Sequence, residues 1–227
     1  MAKFNKEILG KVQGALGDVT FRQRNGKTFL STRPGSFTPG TDENSIARRD
    51  KFSLSVKLAS TINAIPELKK IWEKNTPSGL TTYNHIMRTN YVLMGSEGFS
   101  GLIKLIPSLG FNVANPVVTL SPSDIKINLG PLGSSTGIDV LAEVSVKIIS
   151  ISYLSGPVEN SLSKNSFLTL TSGTQTFNLT SALEFIIPLS DVESQMLTIY
   201  QTRKSWLSLV TLDAAGNVVH YSNTFSG

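Results

Sequence analysis

The chain has 227 residues, of which 40% are hydrophobic and 16% are charged. This balance is typical of a folded protein and excludes an intrinsically disordered one. The chain contains no cysteine, which excludes a disulfide framework, a thiolate metal site and a cysteine nucleophile. No stretch reaches 18 apolar residues, so we expect no transmembrane helix and no membrane partner.

Positive charge is concentrated in the first half of the sequence. Residues 1–110 hold 16 Lys/Arg and 8 Asp/Glu, a net charge of +8, whereas residues 111–227 hold 5 and 8, a net charge of −3. We therefore expect two domains, a basic hairpin and helical region over 1–110 and a β-sandwich over 111–227. The first residues contain no apolar run of signal-peptide length, which predicts a cytoplasmic protein, or one found in a virion after assembly.

The glycine-punctuated residues 1–16 predict an extended arm or a short strand. A β-hairpin is then predicted over 17–34, because Asn25-Gly26 lies between two β-prone runs and suits a type I′ turn, which needs a positive φ at both central residues. In this register Arg24 pairs with Lys27, Gln23 with Thr28, Arg22 with Phe29 and Phe21 with Leu30.

Side chains alternate between the two faces of a strand, so this pairing defines two faces. The apolar face, which can be buried, comprises Val19, Phe21, Gln23, Thr28, Leu30 and Thr32. The cationic face comprises Thr20, Arg22, Arg24, Lys27, Phe29, Ser31 and Arg33. Two interpretations of the cationic face stay open: the charges protect an exposed strand from aggregation, or they dock on an anionic partner, either a nucleic-acid backbone or an acidic patch of a neighbouring subunit.

Three helices are predicted after the hairpin. The first begins near Thr41-Asp42, which are good N-cap residues, and runs to about residue 63. The second covers 66–74, with Pro66 at its first position, and the third covers about 81–93. Arg48 and Arg49 at the start of the first helix add to the positive charge. The candidate residues for contact with a partner or an anion are therefore Arg22, Arg24, Lys27, Phe29, Arg33, Arg48 and Arg49.

From residue 113 onward, short β-prone runs alternate with turn clusters. Strands are predicted over 117–120, 124–129, 138–154, 167–170, 174–178, 184–189, 196–202, 206–212 and 218–225. Such regular spacing favours an antiparallel sandwich. The predicted fold class is thus α+β: an N-terminal β-hairpin plus helices, followed by an immunoglobulin-like β-sandwich.

Motifs for catalysis are not found in the sequence. His85 and His220 each lack a companion at metal-ligand spacing, and we expect both to be surface or satisfied residues. Asp191 and Glu193 are predicted on a solvated loop. No nucleophile elbow and no phosphate-binding loop occur. Trp72 and Trp206 are predicted to be core aromatics. We expect no enzyme activity, no catalytic residues, no metal and no cofactor.

Short segments of the N-terminal half form a recognisable pattern of a Gly-Lys-Val start, a basic hairpin and an Arg-rich helix start. They are Gly10-Lys11-Val12, Gly17-Asp18-Val19, Arg22, Gly26-Lys27, Ser31-Thr32-Arg33-Pro34 and Ala47-Arg48-Arg49-Asp50-Lys51-Phe52. In these segments the chain resembles an uncharacterised family, associated with Bacteroidota genomes, that is known as a domain of unknown function. The resemblance covers about residues 8–95, and the sequence differs from the family pattern in lacking a Trp in the hairpin and a Gln before the helical Arg. The resemblance implies no activity and no catalytic residues.

Two functional hypotheses follow from the sequence. In the first, the protein is a non-enzymatic structural or assembly subunit, for instance of a phage particle, which contacts other copies or other subunits through its N-terminal arm and basic hairpin. In the second, the cationic face binds nucleic acid, with Phe29 as a stacking platform. A carbohydrate- or protein-binding module is a third, less specified alternative.

Overall fold

A computed structural model describes residues 2–3, 14–24, 26–33, 35–36, 38–95, 98–99, 101, 103–159 and 163–226. The fold is α+β, with mostly antiparallel strands. The chain forms two compact units, Met1–Ala47 and Arg48–Gly227. Among the described residues, no helix combines the length and the apolar composition that crossing a bilayer requires.

The first unit contains a four-stranded antiparallel sheet with the order β1-β4-β3-β2. Its strands are β1 (Ala2–Lys3), β2 (Gly14–Leu16), β3 (Val19–Arg24) and β4 (Lys27–Thr32). The predicted hairpin register is confirmed, since β3 and β4 pair from Val19–Thr32 to Arg24–Lys27. The N-terminal segment thus supplies the two short outer strands, and residues 4–13 of the predicted arm lie outside the described residues.

Three helices follow, and each lies within two residues of its predicted bounds at both ends. They are α1 (Glu43–Ala64), α2 (Pro66–Asn75) and α3 (Thr82–Tyr91). The N-terminus of α1 is capped by Asp42, whose Oδ1 accepts a hydrogen bond from the Ser45 backbone N–H at 2.9 Å. This satisfies one of the amides that a helix start leaves without an intrahelical partner.

After the helices, the second unit contains a ribbon and two antiparallel sheets. A short ribbon is formed by β5 (Met94–Gly95) and β6 (Gly98–Phe99). A three-stranded sheet has the order β11-β8-β7, and a five-stranded sheet has the order β10-β9-β12-β13, with β14 also pairing with β12. The strands are β7 (Val117–Leu120), β8 (Asp124–Leu129), β9 (Glu143–Pro157), β10 (Asn165–Thr171), β11 (Leu183–Pro188), β12 (Tyr200–Asp213), β13 (Val218–Tyr221) and β14 (Phe225–Ser226).

The two longest strands, β9 and β12, lie at the centre of the second unit. They pair from Tyr200–Pro157 to Asp213–Glu143. Because side chains alternate along a strand, one face of this pair packs with the helices in a core that includes Ile149, Ile151, Trp206 and Val210. The other face packs with β8 and β11 in a second core that includes Ile148, Leu154, Leu207 and Leu209. The second unit therefore has three layers: helices, five-stranded sheet and three-stranded sheet.

The helices thus share a core with the β-rich half, although the sequence analysis placed them with the hairpin in a domain over 1–110. Leu58, Ile62 and Leu68 are fully buried in this core. Trp72 and Trp206 are core aromatics, as predicted. Trp72 also donates from Nε1 to the Leu105 carbonyl at 2.7 Å, so its one polar atom is satisfied.

Several predictions for the β-rich half are wrong in part. A strand is predicted over 196–202, but residues 196–199 are the last residues of helix α4 (Asp191–Ile199). A capping box starts this helix, with Ser190 and Glu193 each accepting from the other's backbone N–H, so Asp191 and Glu193 do not lie on a loop. Residues 174–178 form an isolated bridge at Gln175 instead of a strand. The strand predicted from 138 begins at Glu143, after a turn.

An ion pair joins the helical layer to the central sheet. Lys147 Nζ lies 2.6 Å from Glu67 Oε1, and each side chain is 19% exposed. Partial burial alone raises the pKa of Glu67, but the hydrogen bond from Lys147, together with a backbone hydrogen bond and nearby positive charge, outweighs it. The pKa of Glu67 therefore lies below its ordinary value of 4.5.

Replacing Glu67 by Gln tests this pair. A carboxylate with a depressed folded-state pKa stabilises the fold above its unfolded pKa, and the contribution is lost as the pH falls through the folded pKa. We expect Glu67→Gln to lower the free energy of unfolding at pH 7 by up to about 1 kcal/mol, and the difference from wild type to narrow at an acidic pH below 4.5, where the carboxyl becomes protonated. Urea unfolding at both pH values measures this. Glu73→Gln, which removes an exposed pair with Lys69, is the matched control, and an equal loss there would contradict the account.

Candidate functional site

The hairpin of β3 and β4 carries the candidate interaction residues. Its turn contains Gly26 with a φ of 71°, a left-handed conformation that glycine adopts without strain. At the open end of the hairpin, the Arg33 backbone N–H donates to the Asp18 carbonyl at 2.6 Å. A second tight turn through Gly17, with a φ of 55°, leads back from β2 into β3. The hairpin is therefore fixed at both ends by local backbone geometry.

The observed register places part of the predicted cationic site on one face. Arg22 pairs with Phe29, and Arg24 pairs with Lys27. Arg22, Lys27 and Arg33 are exposed, and Phe29 is half-buried. For Arg24 the backbone is described within β3, whereas its side chain lies outside the described residues. The hairpin thus brings Arg22, Lys27 and Phe29 together, as the sequence predicted.

The two remaining candidate residues, Arg48 and Arg49, lie elsewhere. They belong to the exposed first half of α1, at the start of the second compact unit. Both take part in interactions with other residues. The structure therefore assigns the cationic hairpin and the arginines of α1 to different units.

The sheet of the first unit differs from the rest of the chain in its burial. Every buried hydrophobic residue among the described positions lies in Arg48–Gly227, beginning with Leu54. In the first unit, Val19, Phe21 and Leu30 on the apolar face are half-buried, and no described residue is buried. Leu16, which pairs with Val19, is 74% exposed. Among its described residues, this sheet consequently has apolar side chains of which none is buried.

A polar network in the second unit was not found from the sequence. The buried carboxylate of Glu143 accepts hydrogen bonds from His220 Nδ1 at 2.9 Å, from the Asp139 backbone N–H at 2.9 Å and from the hydroxyl of Thr211. His220 is thus a satisfied residue, as expected, but its partner lies 77 positions away in the sequence. No local spacing signals such a contact.

The second histidine, His85, also contacts neighbouring side chains. The ring of His85 packs edge-on against Trp72 with centroids 5.0 Å apart, and its Nδ1 lies 3.4 Å from the Thr76 hydroxyl. Burial, followed by the nearby charge of Arg88, lowers the pKa of His85. Within the described chain no three His, Asp or Glu side chains lie close enough together to hold a metal ion.

A groove of about 740 Å³ opens beside the C-terminal strand β14. Among the described residues that line it there is neither a histidine nor a carboxylate, and Lys104 is its one charged residue. General acid–base catalysis needs a titratable group placed against the substrate. The Glu143–His220 pair does not line this groove, so the two features do not combine into one site.

Comparison with models of known protein families finds no match for this sequence, and comparison with curated proteins finds no significant relative. The resemblance of residues 8–95 to a family of unknown function therefore stays a prediction.

The Glu143 network predicts a measurable contribution to stability. Replacing His220 by Ala removes one donor from a buried carboxylate, which costs about 1–3 kcal/mol. His220→Asn offers an amide N–H near the Nδ1 position and is expected to recover part of this loss. Thermal or urea unfolding measures both changes. Val219→Ala, at an exposed position of the same strand, is the control, with an expected loss of stability below about 0.5 kcal/mol. A fully stable His220→Ala variant would contradict the role assigned to this contact.

Proposed function

We propose that the protein is a non-enzymatic structural subunit of a multimeric assembly, such as a phage particle, and that it contacts its neighbours through the N-terminal sheet. One observation carries this proposal: the described part of Met1–Ala47 forms a four-stranded sheet in which no residue is buried. The contacting residues are those of the apolar and cationic faces of the hairpin.

The physical reason is that a small sheet without a core is marginal in water. A sheet of a few short strands needs a covered hydrophobic face for independent stability, and a unit of 47 residues buries too little surface by itself to offset its conformational entropy. The second unit contains both hydrophobic cores, so its own residues cover its apolar faces. A neighbouring subunit that covers the sheet would supply what the first unit lacks.

Nucleic-acid binding is the alternative, and the arrangement of the cationic face favours it. Phe29 pairs with Arg22, and Lys27 lies on the same face, so a cation and an aromatic platform stand side by side. Single-stranded nucleic acid is bound by such combinations. One aromatic residue gives room for one stacked base, however, and the local charge is moderate, which is why we place assembly first.

For the β-rich part of the second unit we propose an immunoglobulin-like sandwich, which is a common scaffold in cell-surface and assembly proteins. Three features of strand order support this. In the three-stranded sheet, β7, β8 and β11 are neighbours in the order of strands A, B and E of the immunoglobulin fold. In the five-stranded sheet, β9, β12 and β13 are neighbours in the order of strands C, F and G. Strand β10 of the same sheet pairs with β9, as strand C′ does in variable-type domains.

We also propose that the protein is made in the cytoplasm and either remains there or enters a virion on assembly. This follows from the same interpretation, since subunits of such particles assemble where they are synthesised. The resemblance to the Bacteroidota family of unknown function is compatible with this proposal and adds no activity to it.

Removal of the first unit tests the assembly proposal. We expect the full chain to associate as its concentration rises and a variant lacking residues 1–40 to stay monomeric. The truncated variant should keep a cooperative unfolding transition, because both cores lie beyond residue 47. Sedimentation velocity and thermal unfolding measure these properties.

Two outcomes would contradict the proposal. If the truncated chain associates as the full chain does, the sheet is not the contact. If the full chain stays monomeric and instead binds single-stranded DNA with an affinity that falls by about 0.7 log units per log unit of salt for each phosphate contacted, the nucleic-acid alternative is correct.

A further inference from the structure

The two faces of the N-terminal sheet differ in charge. On the side of the apolar face, the paired rows are Val19 with Thr32, Phe21 with Leu30 and Gln23 with Thr28. Leu16 extends the first of these rows through its pairing with Val19. All of these side chains are uncharged. The positive charges of the hairpin, namely Arg22, Arg24, Lys27 and Arg33, belong to the cationic face.

This difference determines how two copies can meet. If two cationic faces approach each other, Arg22 and Lys27 of both copies come close without a described acidic residue between them, and like charges in contact are destabilising. If two apolar faces approach, they bury Val19, Phe21 and Leu30 without bringing charges together. Sheets pack face to face at a spacing of about 10 Å with such side chains between them.

The size of the face sets the strength of the contact. The strands have two, three, six and six residues, so at about 3.3 Å per residue and about 4.8 Å between strands they present a face of about 270 Å². Two such faces bury about 540 Å² in total, which is well below the roughly 1,600 Å² of a standard stable interface. The contact is therefore weak when it joins two isolated copies, and it becomes effective when many copies are held together in an assembly.

We propose that the apolar face of the N-terminal sheet packs against the same face of a second copy, with the two cationic faces directed outward. This inference rests on the proposed assembly function and adds to it the face and the partner. Because a contact of one patch with its own equivalent is self-complementary, it closes as a two-fold pair. The outward cationic faces are then placed to contact acidic surfaces of further subunits.

Single cysteines test the face directly, because the chain has none of its own. Thr28 lies on the apolar face and is half-buried, whereas its neighbour Lys27 lies on the cationic face and is exposed. We expect the Thr28→Cys variant of the full chain to form a disulfide-linked dimer under mild oxidation several times faster than Lys27→Cys. Exposure alone predicts the opposite order, so the result cannot arise from accessibility.

Two phenylalanines in the same hairpin provide a matched second test. Phe21 is on the apolar face, and Phe29 is on the cationic face. Loss of an aromatic from the centre of an interface typically weakens binding by about tenfold or more. We therefore expect Phe21→Ser to raise the dissociation constant for self-association by about tenfold, and Phe29→Ser to leave it close to that of the wild type. Sedimentation equilibrium over a wide concentration range measures both.

The outcomes separate this inference from the function on which it rests. If the wild type associates but Lys27→Cys cross-links as fast as Thr28→Cys, or Phe29→Ser is the weaker variant, the assembly proposal stands and the apolar face is the wrong surface. If the wild type shows no association and neither cysteine variant cross-links, both the inference and the self-assembly are overturned. A faster Thr28→Cys together with a weakened Phe21→Ser supports the inference.

Discussion

The structure depends on the pairing of two long strands, β9 and β12. Their ladder extends from Tyr200–Pro157 to Asp213–Glu143, and both faces of the pair are buried. The helices pack on the face with Ile149 and Trp206, and the three-stranded sheet packs on the face with Ile148 and Leu207. The buried apolar residues of each outer layer belong to a core that the central pair completes, so the stability of both layers depends on this pair. The Lys147–Glu67 pair then joins the helical layer to the central sheet, and the Glu143 network joins strands within that sheet.

In the described part of the first unit, no buried residue provides this kind of support. Its hairpin is specified by local geometry, with left-handed glycines at positions 17 and 26, and its register follows from the turn. Local geometry sets the conformation, however, and burial supplies most of the free energy. A unit that is well specified but poorly buried is suited to a contact that forms on assembly, because its apolar surface stays available until a neighbour covers it.

Features with a local cause were predictable from the sequence, and features with a distant cause were not. The Asn-Gly turn predicted every residue pair of the β3–β4 hairpin, and the turn clusters around β7 and β8 predicted both strands with their observed bounds. Helix α4 had a local signal as well, the Ser190–Glu193 capping box, but the β-prone residues that follow it concealed the helix. In α1, Leu54, Leu58 and Ile62 recur at helical spacing and are buried, but such spacing does not show which element covers them. The contact of Glu143 with His220 joins strands from distant parts of the chain, so no local pattern predicts it.

The central claim is that the N-terminal sheet is completed by a neighbouring copy. Hydrogen exchange of the β3 and β4 amides, measured by mass spectrometry at several protein concentrations, tests it most directly, with the amides of β9 and β12 as internal reference. The account predicts that protection of β3 and β4 rises with concentration, because opening of the sheet competes with association, while protection of β9 and β12 stays constant. Strong protection of β3 and β4 that is already complete in dilute, monomeric protein would contradict the account.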